Sequence, residues 1–105
     1  MIQSAVTVSL VPEARGGPFV FWDDLPAALA KAAKLGFDAV EIFPRSVEDL
    51  SAKDLKKLLK QHKLKLAAMG TGAGWVVHQL RLTDPDPKIR AECKQTFQII
   101  KMWKA

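Results

Sequence analysis

The chain reads as an α/β protein built on a three-stranded parallel sheet, and three observations carry that expectation. Apolar runs of strand length begin near residues 5, 39 and 64, and the first two alternate with period two. Amphipathic stretches that start on helix caps lie between and after them. Strands alternating with helices run side by side in one direction, joined by right-handed crossovers.

Ala5 to Leu10 alternates, with Val6, Val8 and Leu10 on one face and the small residues Ala5, Thr7 and Ser9 on the other. Val11 to Phe21 contains Pro12, Gly16, Gly17 and Pro18 and reads as a loop. Its aromatic content, with Phe19, Phe21 and Trp22, suits either a cover for a ligand or packing beneath the loop. Asp23 or Asp24 caps the first helix, Pro26 sits in its first turn, and Leu25, Leu29, Ala32 and Ala33 repeat at helical spacing until Gly36 stops it.

The second strand, Ala39 to Phe43, sets Val40 and Ile42 against Ala39, Glu41 and Phe43, and Pro44 ends it. Glu41 is a carboxylate in a strand interior, where an ionised group is costly unless partnered. It is therefore either tied to a Lys, an Arg or a backbone amide, or facing a ligand at the end of the sheet where α/β proteins place working residues. Ser46 with Asp49, or Ser51 with Asp54, fits a capping box. Leu55, Leu58, Leu59 and His62 form the apolar stripe of the second helix, with His62 at the stripe's edge as a partly packed residue.

Leu64 to Met69 is the third strand, and it runs into Gly70-Thr71-Gly72-Ala73-Gly74-Trp75. These glycines can take positive φ and let a ligand approach the backbone. Trp75 to Leu82 shows no clear period, and Asp84-Pro85-Asp86-Pro87 then opens a helix with Asp86 as cap. Ile89, Cys93, Phe97 and Ile100 are its expected buried stripe, widened by Ile99 and Trp103.

Composition bounds the function. The 105 residues are read as a single domain, and 49% hydrophobic with 26% charged residues is a globular balance, not a disordered one. The net charge of +5 rests largely on Lys53, Lys56, Lys57, Lys60, Lys63 and Lys65, which read as a solvated helix face, so nucleic acid is not expected as a partner. One cysteine allows no internal disulfide, the N-terminus lacks a signal-peptide pattern, and no apolar run reaches membrane-spanning length, so a cytoplasmic protein without membrane contact is expected.

The glycine loop fails the dinucleotide fingerprint because its third position falls on Trp75 and the next expected helix begins a dozen residues later at the Asp-Pro pair. No P-loop lysine, H-E-x-x-H, G-x-S-x-G or zinc cysteine pair occurs, and His62 and His78 are not spaced as a metal pair. Strands near residues 5, 39 and 64 predict another shortly after residue 105. Three βα units are fewer than the eight, over roughly 250 residues, of a closed barrel. The expected architecture is thus a partial (β/α)8 barrel, the front of a larger or truncated domain.

Gly36-Phe37-Asp38-Ala39-Val40-Glu41-Ile42-Phe43, the Met69–Trp75 glycine loop, and Leu82-Thr83-Asp84-Pro85-Asp86 followed by Ile89-Arg90 resemble the sugar phosphate isomerase/epimerase family of xylose-isomerase-like TIM barrels. The resemblance implies metal-assisted proton transfer between neighbouring carbons of a sugar or keto acid, with Mn²⁺ or Mg²⁺ and a pair of glutamates. It supplies no catalytic or metal-ligating residue here, because the family's ligands come from later strands with no matching positions. What it carries over is a rim or inner wall of a sugar site: Glu41, Gly72, Gly74, Trp75 and His78. Trp75 stacks on substrate or packs in the loop. The expected protein is a truncated isomerase/epimerase-like chain, inactive alone; the alternative is a non-catalytic half-barrel that joins itself or another chain through open sheet edges.

Overall fold

The computed structural model describes residues 2–17, 19–46 and 51–104. Strands β1 (Ala5–Ser9), β2 (Phe21–Trp22), β3 (Ala39–Phe43) and β4 (Lys65–Met69) form one parallel sheet in the order β2-β1-β3-β4. Helices α1 (Leu25–Lys34), α2 (Ala52–Gln61), α3 (Ala73–Val76) and α4 (Pro87–Lys104) join them in the order β1-β2-α1-β3-α2-β4-α3-α4. The sheet therefore has four strands, not the three the sequence predicts. The extra one lies at the border of the aromatic loop, where Phe21 and Trp22 pair with Val8 and Ser9. Two residues are too few to show a period, and backbone pairing alone sets this strand.

One face of the sheet carries the core. Val6, Val8, Val40 and Ile42 meet Leu25, Ala28, Leu29 and Ala32 of α1 and Leu55 and Leu59 of α2, with Leu29, Ile42 and Leu55 fully buried. The alanines of α1 let the helix lie close to the strands. Asp24 caps α1 by accepting from Ala27 N–H at 3.1 Å, and Gly36 leaves it at φ +90°, a conformation that glycine takes without strain. For α2, Ser51 is the cap, accepting from Asp54 N–H; Asp49 of the other capping pair lies outside the described residues, as does the Trp103 side chain.

Strand β4 departs from strict alternation. Val40 pairs with Leu66 but Glu41 pairs with Ala68, so Ala67 is an extra residue, a β-bulge. The bulge turns both Leu66 and Met69 toward the helices, where both pack on the core. The opposite face is small and polar: Thr7, Glu41 and Ala68 lie in one row across β1, β3 and β4, half-exposed. At the C-terminal end of that face Phe43 is covered by Val11, Ala73 and Phe19.

The stripe of α4 is narrower than predicted. Cys93 and Ile100 are buried, Ile89 and Ile99 are partly so, but Phe97 is exposed. Phe97, four residues after Cys93 and three before Ile100, lies on that same side of the helix yet remains exposed.

Candidate functional site

The C-terminal ends of β1, β3 and β4 converge on a second apolar cluster, and this cluster explains Gly70 and Gly72 but not Gly74, where a Cβ would meet nothing within 4 Å. Gly70, Gly72 and Gly74 all have negative φ, unlike Gly16 and Gly36. A Cβ on Gly70 would sit 3.0 Å from Phe43 Cδ2, and one on Gly72 3.2 Å from Phe43 Cζ. The loop that promised close approach for a ligand admits instead the Phe43 ring, and its backbone winds into the single turn of α3. The aromatic loop does the same from the other side. Phe19 lies 5.4 Å from Phe43 and edge-on to Trp22 at 5.6 Å, while Trp22 Nε1 donates to Phe19 O at 3.2 Å. These aromatics pack beneath their loop.

Beside this cluster lies a cavity of about 230 Å³. Pro44, Ala73, Leu80 and Ile100 supply its apolar wall, and Arg45, Ser46, Thr71, His78, Glu92 and Thr96 its polar one. It is bounded by the turn after β3, the glycine loop and one ridge of α4, where Glu92, Thr96 and Ile100 recur every fourth residue. Three loops are locked together at its rim. Arg45 Nε donates to both carboxylate oxygens of Glu13, at 3.2 and 3.0 Å, and the guanidinium holds that carboxyl below the usual carboxylate range. His78 Nε2 lies 2.9 Å from Arg45 O. A carbonyl only accepts, so Nε2 carries the proton and Nδ1 is the ring atom left for another partner.

Of the residues singled out by sequence, Gly74 and His78 line this cavity; Glu41, Gly72 and Trp75 lie outside it. Glu41 sits lower on the open face between Thr7 and Ala68, and among the described residues no hydrogen bond or ion pair reaches its side chain. Trp75 is half-exposed, with the Arg81 guanidinium 5.6 Å from its ring centre. Arg81 in turn donates to Asp84 at 3.0 Å. Asp84 also accepts from Asp86 N–H at 2.8 Å, and chiefly this backbone bond, then Arg81, keeps its carboxyl below the usual range. Asp86 caps α4 by accepting from Lys88 N–H at 2.9 Å, and Arg90 ties the turn by donating to Asp84 O and Pro85 O.

Sequence reasoning missed Arg45, Ser46, Thr71, Glu92 and Thr96. Arg45 and Ser46 directly follow a strand end, which was signal enough. Glu92 and Thr96 stand one position before the buried stripe, where polar residues read as solvent-facing.

Among the described residues, no complete set of ligands is gathered for the divalent metal that the sequence resemblance implies. Glu41 has Thr7 and Ala68 as its sheet neighbours, and among the described residues no three His, Cys, Asp or Glu side chains gather closely enough to hold an ion.

A parallel sheet with helices packed on one face, a small polar opposite face and a cavity at the strand ends defines a βα-barrel protein. The family model described as xylose isomerase-like TIM barrel matches residues 29–104, and the chain belongs to that family. No curated protein matches the sequence. Among the described residues, no helix is long and apolar enough to cross a membrane.

Proposed function

We propose that this chain supplies the first βα units of a sugar isomerase or epimerase barrel and contributes the wall, not the reacting groups, of its site. The observation that supports this is the cavity at the C-terminal ends of β3 and β4, lined by donors and acceptors in a member of this family. Hydroxyls of Ser46, Thr71 and Thr96, the Arg45 guanidinium and the His78 ring suit a polyhydroxylated ligand. The metal, Mn²⁺ or Mg²⁺, would polarise the carbonyl and hydroxyl oxygens of the substrate, and the carboxylates that hold it would come from further βα units. Glu41, Trp75 and Gly72 belong to the inner face or rim in this reading. The setting is cytoplasmic, the substrate a small sugar or keto acid.

Solvent-deuterium exchange tests it. With Mn²⁺ and a ketose in D₂O, the chain alone leaves the protons beside the carbonyl unexchanged. Fused to the later βα units of a ketose epimerase of this family, it supports exchange. A fusion that folds and binds the metal yet exchanges nothing refutes the isomerase assignment, and exchange by the chain alone refutes the division of labour.

A second reading is favoured by the sheet itself. Strands β2 and β4 are its edges, and the face carrying Thr7, Glu41 and Ala68 is half-exposed. Such a half-barrel is a template for a second copy or another chain. Size-exclusion at several concentrations checks this, and a monomer throughout counts against it.

A further inference from the structure

We infer that Glu13, which does not line the cavity, is a positioning residue for its polar wall: acting through Arg45, it holds the ring of His78. Only the purpose of that wall is taken from the sugar-wall reading. Arg45 is gripped at both ends. Its Nε donates to the two carboxylate oxygens of Glu13, at 3.2 and 3.0 Å, and its carbonyl accepts from His78 Nε2 at 2.9 Å. Arg45 and His78 line the cavity. A residue on the loop after β1 thus reaches a wall built by the loops after β3 and β4.

Glu13 stands on a turn with little freedom of its own. Val11 is fully buried against Phe43 and Ala73, and its N–H donates to the buried Ser9 Oγ at 3.3 Å. Ala14 N–H then reaches Val11 O, Arg15 N–H reaches Pro12 O and Gly17 N–H reaches Ala14 O, at 3.1, 3.1 and 3.0 Å. The hydrogen bond from Arg45 keeps the Glu13 carboxyl below the usual carboxylate range, so at neutral pH it is ionised and the grip is in place. The His78 end needs holding. Gln79 follows it at φ +57°, a left-handed conformation that a non-glycine residue keeps only where its surroundings constrain it. Between these ends Pro44 is buried, with its φ set by its ring, so the remaining freedom lies in Arg45 itself. Tying the guanidinium to Glu13 restricts that freedom and keeps the Arg45 carbonyl aimed at His78. The bond to this carbonyl requires the proton on Nε2, so Nδ1 stays an acceptor. An imidazole held in one tautomer offers a ligand hydroxyl one fixed partner.

The test needs no ligand. In the isotope-labelled chain at low temperature and low salt, exchange of the His78 Nε2 proton with water is followed, a process that its hydrogen bond slows. Glu13→Gln keeps the shape of the side chain and removes its charge, and it is expected to speed this exchange about threefold, the size that an exposed ion pair supports. Salt at about 1 M is expected to do the same in the parent chain and to add little in Glu13→Gln. Arg45→Met removes the guanidinium and keeps the carbonyl, and in that background Glu13→Gln is expected to change nothing. The amide signals of Val40 and Ile42, in the core, are expected to stay in place in every variant. A parent chain whose Nε2 proton exchanges as fast as that of free imidazole overturns the inference. So does an unchanged rate in Glu13→Gln, an equal acceleration in the Arg45→Met background, or a shift that spreads to Val40 and Ile42. The sugar-wall reading stands or falls separately, on the deuterium exchange of the fusion.

Discussion

One methyl group at position 72 measures what the glycine loop is for. Gly72 has φ −58° and ψ −27°, values that alanine adopts freely. By itself Gly72→Ala therefore stabilises by about 0.4–1 kcal/mol, through the lower entropy of the unfolded chain. The Phe43 ring opposes it. A Cβ at residue 72 lies 3.2 Å from Cζ and 3.3 Å from Cε2, and the ring is wedged among Val11, Ala73 and Phe19. Overpacking of this kind costs about 1–3 kcal/mol, so the net effect is a loss of about 1 kcal/mol. Phe43→Leu removes the two ring atoms concerned. In that background Gly72→Ala becomes stabilising, and the coupling between the sites falls within about 0.5–3 kcal/mol. Gly70 is the control, because a Cβ there meets Cδ2, Cβ and Cγ of Phe43, positions that leucine still fills, so Phe43→Leu does not rescue Gly70→Ala. Urea unfolding followed by tryptophan fluorescence, with linear extrapolation, gives the free energies. A stabilising Gly72→Ala in the parent chain, or an equal cost in both backgrounds, refutes the idea that these glycines seat Phe43.

Two further outcomes follow from the local geometry. Gly36→Ala at φ +90° costs about 1–2 kcal/mol, read from the same urea transitions, and an unchanged midpoint contradicts the role of this residue in ending α1. Asp84 has a lowered pKa in the folded chain. Its contribution to stability is therefore complete above its unfolded value of about 3.9 and is lost as the pH falls through the lower, folded value. Asp84→Asn is expected to lower the melting temperature at neutral pH and to flatten its decline in acid. An acid limb as steep as that of the parent chain contradicts this.

Residues whose chemistry acts on near neighbours were legible in the sequence. Val6 and Val8, Val40 and Ile42 alternate because their strands are exposed unequally on two faces, and Asp24, Gly36, Ser51 and Asp86 act within a turn of their own positions. The family, too, was visible in Gly36–Phe43 and the Asp84–Asp86 helix start. What escaped depends on distant partners. Phe21 and Trp22 are a strand only because β1 offers its edge. Gly70 and Gly72 are small because of Phe43, many residues earlier. Arg45 meets Glu13 and His78 through three loops that only the sheet assembles, and no spacing along the chain announces that meeting. Glu41 read equally as a partnered carboxylate or as one facing a ligand, and its sheet neighbours across the row are Thr7 and Ala68.

The extra residue at Ala67 fixes a phase for everything after it. A strand has two sides, and each residue inserted or deleted exchanges them. With Ala67 present, Met69 falls on the same side as Leu66 and the chain leaves β4 with Gly70 donating to Ile42 O at 2.7 Å. Without it, Met69 would face the small polar row, and the glycines would reach the strand end half a pleat out of step with the ring they receive. Length variation is thus tolerable in the loops on either side of β4 but not within it. The position of the cavity wall is set by a count of five residues, Lys65–Met69, as much as by what those residues are.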